Sequence, residues 1–278
     1  MVFPRPSLNP NPQSGHAFTL IELLIVVAVI ATLLLLLAPA FTSLKQAGGV
    51  TSAAYTIKGV LEQARATALA SDTYTWVGFY EEDASQPSTT PSTPGSGRLV
   101  LAIVASVDGT NIYGGNTGTI DPTKLRHVGK LVKIENVHLP LFAIGTGTGE
   151  RFDSRPPLQS DPPPAVYNYS RFGELNGTAP NVAPYTSPYN FQYPVGNPVP
   201  PAQYTFTKLL QFSPLGEARV NGDSYQIRRV IEIGLVQTHG VAIPPPTSGA
   251  GTSTATYAGN AVALQVTGFA GNVKIYTR

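Results

Sequence analysis

The chain has 278 residues, 12% of them charged, and a net charge of +2. That length allows one large domain or two small ones, and the charge excludes the basic field a nucleic-acid surface needs. There is no cysteine, so disulfides, cysteine–zinc sites and thiol catalysis are ruled out.

The first element is "HAFTLIELLIVVAVIATLLLLLAPAF", residues 16–41. No charged side chain occurs from Leu23 to Ala38. With Phe18 to Ile21 the apolar run reaches about 21 residues, close to the roughly 20 that a helix needs to cross a bilayer core. Three readings fit it: a cleaved secretory signal, a plain signal anchor, or a more specialised segment. A cleaved signal has a shorter core of about 7–15 residues, although "LAPAF" imitates its cleavage site. Arg5 and His16 are the only basic residues ahead of the run, and nothing competes with them before Lys45, which gives a thin positive-inside signal.

Glu22 breaks the apolar pattern. A carboxylate in hydrocarbon costs roughly 2–4 kcal/mol near the centre, unless it reaches interfacial water at the helix end or meets a cation. No basic side chain lies between His16 and Lys45. A free α-amino group would serve, being mostly positive at neutral pH with a pKa of about 8. A cut just before Phe18 would create one.

The run "AFTLIELLIVVAVIATLLLLLAP" resembles the class III signal of type IV pilins and of the pseudopilins of type II secretion. This resemblance implies that a prepilin peptidase removes residues 1–17 by cutting between Ala17 and Phe18 and then N-methylates Phe18. In that family the mature helix carries glutamate at its fifth position and often proline at its twenty-second. Counted from Phe18, those positions are Glu22 and Pro39. The residue before the cut is usually glycine in the family and is Ala17 here; a cut after Gly15 would put Glu22 seventh and lose the register.

The resemblance further implies an assembly role for Glu22. The glutamate of an incoming subunit pairs with the charged N-terminus of a neighbour in the filament, so that a buried ion pair sets axial register. A pair within one chain is the alternative, since Phe18 and Glu22 are four apart on one helical face. Pro39 would remove the hydrogen bond to Leu35 and kink the helix, or end it at the membrane edge. The expected location is the inner membrane, crossed once by residues 18–40, with the leader cytoplasmic and the C-terminal head periplasmic until filament assembly. Expected partners are the peptidase, other pilin or pseudopilin subunits through the N-terminal helix, the inner-membrane assembly machinery and the membrane itself.

Residues 41–72 continue as an amphipathic helix. Phe41, Leu44, Ala47, Val50, Ala54, Ile57, Leu61, Ala64 and Ala68 recur at steps of three or four, the period of one apolar helical face. The pattern predicts a helix over Thr51–Ala70, about 30 Å long. Gly48 and Gly49, each costing up to about 1 kcal/mol relative to alanine, mark a candidate hinge. A coiled-coil partner or a sheet would cover the stripe, and the strands that follow favour a sheet.

Strands are predicted at 73–80, 98–107, 130–134, 137–144, 203–213, 227–237, 261–267 and 272–277, from length and β-branched or aromatic content. The segment "GFAGN" reads as a hairpin turn between the last two, and 83–97, 108–118 and 244–260 as loops. The expected fold class is α+β: a long N-terminal helix, with a transmembrane half and an amphipathic half, packed against an antiparallel β-sheet head at 73–278. The stretches "LEQARATALASDTYTWVGFY", "LQFSPLGEARV" and "LQVTGFAGNVKIYTR" resemble the helix-to-strand passage, the strand-turn and the closing hairpin of the H-type minor pseudopilins. Residues 154–203 lie outside the resemblance. They are dense in proline and tyrosine, which precludes regular helix or central strand; a long loop of this kind is functional or disordered. It is a sticky tyrosine surface, a flap over a sheet edge, or a floppy insertion.

Signs of catalysis are lacking. "GTGTGE" (145–150) has no lysine–serine/threonine pair after it and reads as a turn. The histidines His16, His127, His138 and His239 show no metal-ligand spacing. "EED" (81–83) lacks the spaced oxygen ligands of a calcium loop and reads as an acidic turn, and "GDS" (222–224) is no nucleophile elbow. No catalytic residue, cofactor or metal ligand is assigned. The functional expectation is a non-enzymatic minor pseudopilin or pilin, assembled into a type II secretion pseudopilus or a type IV pilus. Its rivals are a signal-anchored extracytoplasmic binding module that uses the 154–203 insertion, and an anchored envelope enzyme.

Overall fold

The computed structural model describes residues 1, 20–111, 118–159, 170–171, 189–196, 198–220, 227–248, 256–257 and 259–278, with the backbone alone for 34–48, 118–119 and 248. The chain forms two compact units, Met1–Lys45 and Gln46–Arg278.

Helix α1 is Leu20–Ala70. It continues through Pro39 and through Gly48–Gly49, so the glycine pair does not interrupt it. Two expectations are corrected here. No helix among the described residues is long and apolar enough to cross a membrane. The N-terminal helix of the expected fold class therefore loses its transmembrane half, and the single-pass inner-membrane location falls with it. The helix that packs on the sheet is the stretch from Val50 to Ala68.

The strands follow in chain order: β1 Thr75–Asp83, β2 Gly97–Ser106, β3 Gly118–Thr119, β4 Leu125–His127, β5 Val132–His138, β6 Tyr189–Tyr193 and β7 Tyr204–Phe206. After them come β8 Lys208–Phe212, β9 Ala218–Val220, β10 Val230–Gln237, β11 Pro246–Ser248, β12 Thr256–Tyr257, β13 Ala261–Thr267 and β14 Val273–Thr277. The main sheet runs β14-β13-β10-β5-β2-β1-β8-β9, with β4 beside β2, and its pairings are antiparallel. The "GFAGN" segment joins β13 to β14 as expected of a hairpin, with Gly271 at φ 63 supplying the left-handed turn residue.

One face of the sheet holds the helix. Val50, Ala54, Ile57, Leu61, Ala64 and Ala68 pack against Val77, Phe79, Leu101, Leu210, Ile233 and Leu264. The small residues on α1 let it approach the strands closely, and the Thr75 hydroxyl donates to the Ala64 carbonyl at 3.0 Å, fixing the start of β1 to the helix.

The opposite face is also covered. β3, β6 and β7 form a second small sheet, and Phe191, Tyr204 and Phe206 meet Trp76, Tyr80 and Val104 there. Further along, Phe142, Phe152 and Tyr257 cover Val236, Ala263 and Tyr276. Strands buried on both faces need not alternate apolar with polar residues, and β1 is buried from Thr75 to Glu82. Two expectations change as a result. "EED" is not an acidic turn, because Glu81 and Glu82 are interior residues of β1. The proline-rich stretch contains a paired strand, since the five residues between Pro188 and Pro194 hold no proline and form β6.

Gly78 marks where the two sheets touch. A Cβ there would stand 2.5 Å from Cγ of Phe206 and 2.7 Å from Cζ of Phe191. Gly78→Val should overpack this contact and destabilise the fold by about 1–3 kcal/mol, seen as a lower denaturant midpoint. An unchanged midpoint would mean that the second sheet does not seat on β1.

Candidate assembly segment and buried charge clusters

Ala17 and Phe18 lie outside the described residues. Glu22 sits in the first turn of α1, where a carboxylate complements the helix dipole. It is exposed, and so are Leu20, Ile21, Leu24, Ile25, Val29, Ile30 and Leu33 around it. These positions fall on every side of the helix. A helix apolar all round is normally buried, so this exposed stretch is an unsatisfied surface carrying one acidic group. Pro39 belongs to the same helical run.

Three carboxylates are enclosed in the sheet unit: Glu81 and Glu82, which the sequence reading placed in an acidic turn, and Glu232, which it did not single out. Glu81 is fully buried; its Oε1 lies 2.7 Å from Nδ1 of His138 and accepts the Leu139 N–H at 3.1 Å, and its Oε2 lies 3.6 Å from Nζ of the equally buried Lys208. Burial by itself raises the Glu81 pKa, but the charge and hydrogen bond of His138, then Lys208 and the Leu139 N–H, outweigh it and hold the carboxyl below its ordinary value.

Glu82 points to the other face, as strand alternation requires. Its Oε2 accepts from Ser88 at 2.8 Å and from Arg98 at 3.1 Å, with Lys133 Nζ at 3.6 Å. Its Oε1 accepts from the Tyr204 hydroxyl at 3.3 Å. The proline- and serine-rich 83–97 loop is tied down through this carboxylate, and Lys133 also donates to Ser88.

Glu232 in β10 receives both Nε and Nη2 of Arg155 at 2.7 and 2.9 Å, the paired geometry that makes guanidinium–carboxylate contacts strong. Gln265 donates to it at 2.9 Å. The neighbouring Ser170 carbonyl accepts the Glu232 N–H at 2.8 Å, and Arg171 donates to the Phe142 carbonyl at 3.0 Å. Residues 155 and 170–171 of the insertion are thus anchored on β10. Among the described residues no group of three His, Asp or Glu side chains is placed to hold a metal ion.

His127 joins β4 to the segment after β6. The Val195 N–H donates to its Nε2 at 2.9 Å, and its ring lies 4.7 Å from that of Tyr193. Burial holds its pKa below the ordinary value, and a protonated Nε2 cannot accept from Val195. The stability contributed by the neutral ring is complete above about pH 6.5 and is lost as pH falls through the lower folded value. NMR titration should give His127 a midpoint below about 6.5, with faster amide exchange at 189–195 under acid. A midpoint at or above the ordinary value would contradict this.

No protein-family model, no curated protein and no solved structure matches the chain.

Proposed function

We propose that the chain is a pilin- or pseudopilin-type subunit, cut by a prepilin peptidase between Ala17 and Phe18 and assembled with like subunits through the start of α1. The observation that carries this reading is the exposed apolar stretch Leu20–Leu33 with Glu22 in its first turn. An apolar helix left in water is covered by other apolar surface. A carboxylate on that surface selects a neighbour that brings a cation to it, and an amino terminus created at Phe18 is that cation. The Gln46–Arg278 unit, with its own core, is the head such a subunit displays. Glu22 adds register: correct alignment neutralises two charges at once, and a misaligned neighbour leaves both unpaired.

Mass spectrometry of the N-terminus in cells that hold a prepilin peptidase tests it. The mature chain should start with N-methylated Phe18, and Glu22→Val should leave the cut intact while abolishing incorporation into filaments. An intact Met1 terminus in such cells, or normal incorporation of the valine variant, would refute the proposal.

A further inference from the structure

Glu81, His138 and Lys208 meet in the interior of the sheet unit, and between them they supply the parts of a condensation. Lys208 opens β8 opposite Phe79 of β1. Glu81 lies two residues beyond Phe79, on the same face of the sheet. Its Oε2 is 3.6 Å from the Lys208 Nζ, and the exposure of both side chains is 0%. The Nζ makes no hydrogen bond among the described residues, so none has to break for it to reach the carboxyl carbon.

The other carboxylate oxygen is differently placed. Oε1 accepts the Leu139 N–H at 3.1 Å and lies 2.7 Å from Nδ1 of His138. A carboxylate only accepts, so Nδ1 carries its proton toward Oε1. One oxygen thus sits between two N–H donors, and the other faces an amine.

We infer that this is a modification site, at which Lys208 and Glu81 condense to an intramolecular amide. The step needs no outside reagent. Moving one proton from Nζ to Oε2 turns the ion pair into a neutral amine and a neutral acid, a form that an interior without water penalises less than it penalises charge. The Nζ lone pair then forms a bond to Cδ of Glu81, and the Cδ–Oε1 π pair moves onto Oε1. The Leu139 N–H and the His138 Nδ1–H stabilise the negative charge that develops there, as an oxyanion hole does. Nζ passes a second proton to Oε2, the Oε1 pair restores the double bond, and the Cδ–Oε2 bond breaks with release of one water molecule. Nothing is oxidised or reduced, and one positive and one negative charge give a neutral amide. Well-aligned groups held together react at effective concentrations on the order of 10⁵–10⁸ M, which is why a pair that is inert in solution condenses here. The product joins neighbouring strands far apart in the chain, so it closes a long loop and restrains the unfolded state. Until the bond closes the two residues remain an ion pair, and the stability that pair lends belongs to chains in which the bond is still open.

Trypsin reads the bond directly, because cuts after Arg65, Arg98, Arg171 and Arg219 place Glu81 in peptide 66–98 and Lys208 in peptide 172–219. Neither peptide includes the N-terminus, so a cut before Phe18 does not alter the reading. The full chain is kept folded at neutral pH for increasing times and digested, with a parallel sample kept in urea. The expected result is a linked species, lighter than the two peptides together by one water and uncut after Lys208, with fragment masses that place the bond at Glu81 and Lys208. Its share should rise with time in the folded sample and stay at zero in urea. Lys208→Met should abolish it, and His138→Phe should slow its formation about 100-fold, each variant being shown folded by circular dichroism. Wild-type chain that is still cut after Lys208 and yields peptide 66–98 at full mass overturns the proposal, whatever the variants do. Equal linkage in urea, or a bond mapped to other residues, overturns it as well. A folded His138→Phe variant that links at the wild-type rate overturns the role given to Nδ1.

Discussion

Substitution of Glu81 by leucine should lower the free energy of unfolding by about 3–5 kcal/mol, read as a fall in the denaturant midpoint at unchanged slope. The reason is what remains behind. Lys208 is as deeply enclosed as Glu81, and the Glu81 carboxylate 3.6 Å away is its ion-pair partner. Without it, the ammonium must stay charged in the interior or give up its proton, and either is unfavourable. Removing both charges is a different matter, since an apolar pair of similar volume is often neutral. Lys208→Met should therefore recover most of the loss in the Glu81→Leu background, and the double-mutant cycle should show strong coupling. Additive effects would mean that the pair is not coupled in the folded protein. Acid adds a second signature. Because the Glu81 carboxyl is held below its ordinary value, its contribution is complete above the unfolded value of about 4.3. It disappears as pH falls through the lower folded value. Wild-type stability should decline in that range by more than that of Glu81→Leu.

The helix that packs on the sheet was legible because its signal is local. Val50, Ala54, Ile57, Leu61, Ala64 and Ala68 repeat at the helical period, and all are buried. The strands with dense β-branched content were legible for the same reason; the 261–267 prediction coincides with β13. Short strands such as β9 and β4 carry too few residues for any period to show. β6 was hidden by the prolines on either side of it, which dominate composition over a window longer than five residues. The buried charges were hidden by distance along the chain: Glu81 and His138 are 57 residues apart, and Arg155 and Glu232 are 77 apart. One clue was available. In "VIEIGLV" a single charge stands inside an otherwise apolar strand, and in "KLLQF" one heads a largely apolar strand; such a charge must find a partner if both faces are covered. At the N-terminus, composition favoured a membrane span, and the described structure withdrew it. A run of apolar residues reads alike whether lipid or other helices cover it, so Glu22 is the informative residue there.

Replacing Arg155 by leucine should cost a similar about 3–5 kcal/mol, but the damage should be local. The Arg155 guanidinium satisfies Glu232 twice, donates to the carbonyls of Phe152 and Ala143, and stacks 4.4 Å from the Phe152 ring. Its removal leaves Glu232 with Gln265 as its remaining side-chain hydrogen-bond donor among the described residues. The segment most dependent on the arginine is 142–159, which reaches β10 through it and through the Phe142–Phe152–Tyr257 cluster. Hydrogen exchange should therefore accelerate across 142–159 and at 170–171, with α1, β1 and β2 keeping their protection, because their packing on the other face does not pass through Glu232. Proteolysis should cut first in the same region. Adding Glu232→Leu to Arg155→Leu should restore much of the stability, since the stranded carboxylate is gone, while 154–159 and 170–171 stay loose for want of their anchor. Uniform loss of protection across both faces of the sheet would mean that this ion pair holds the whole unit together and does not simply fasten the insertion to it.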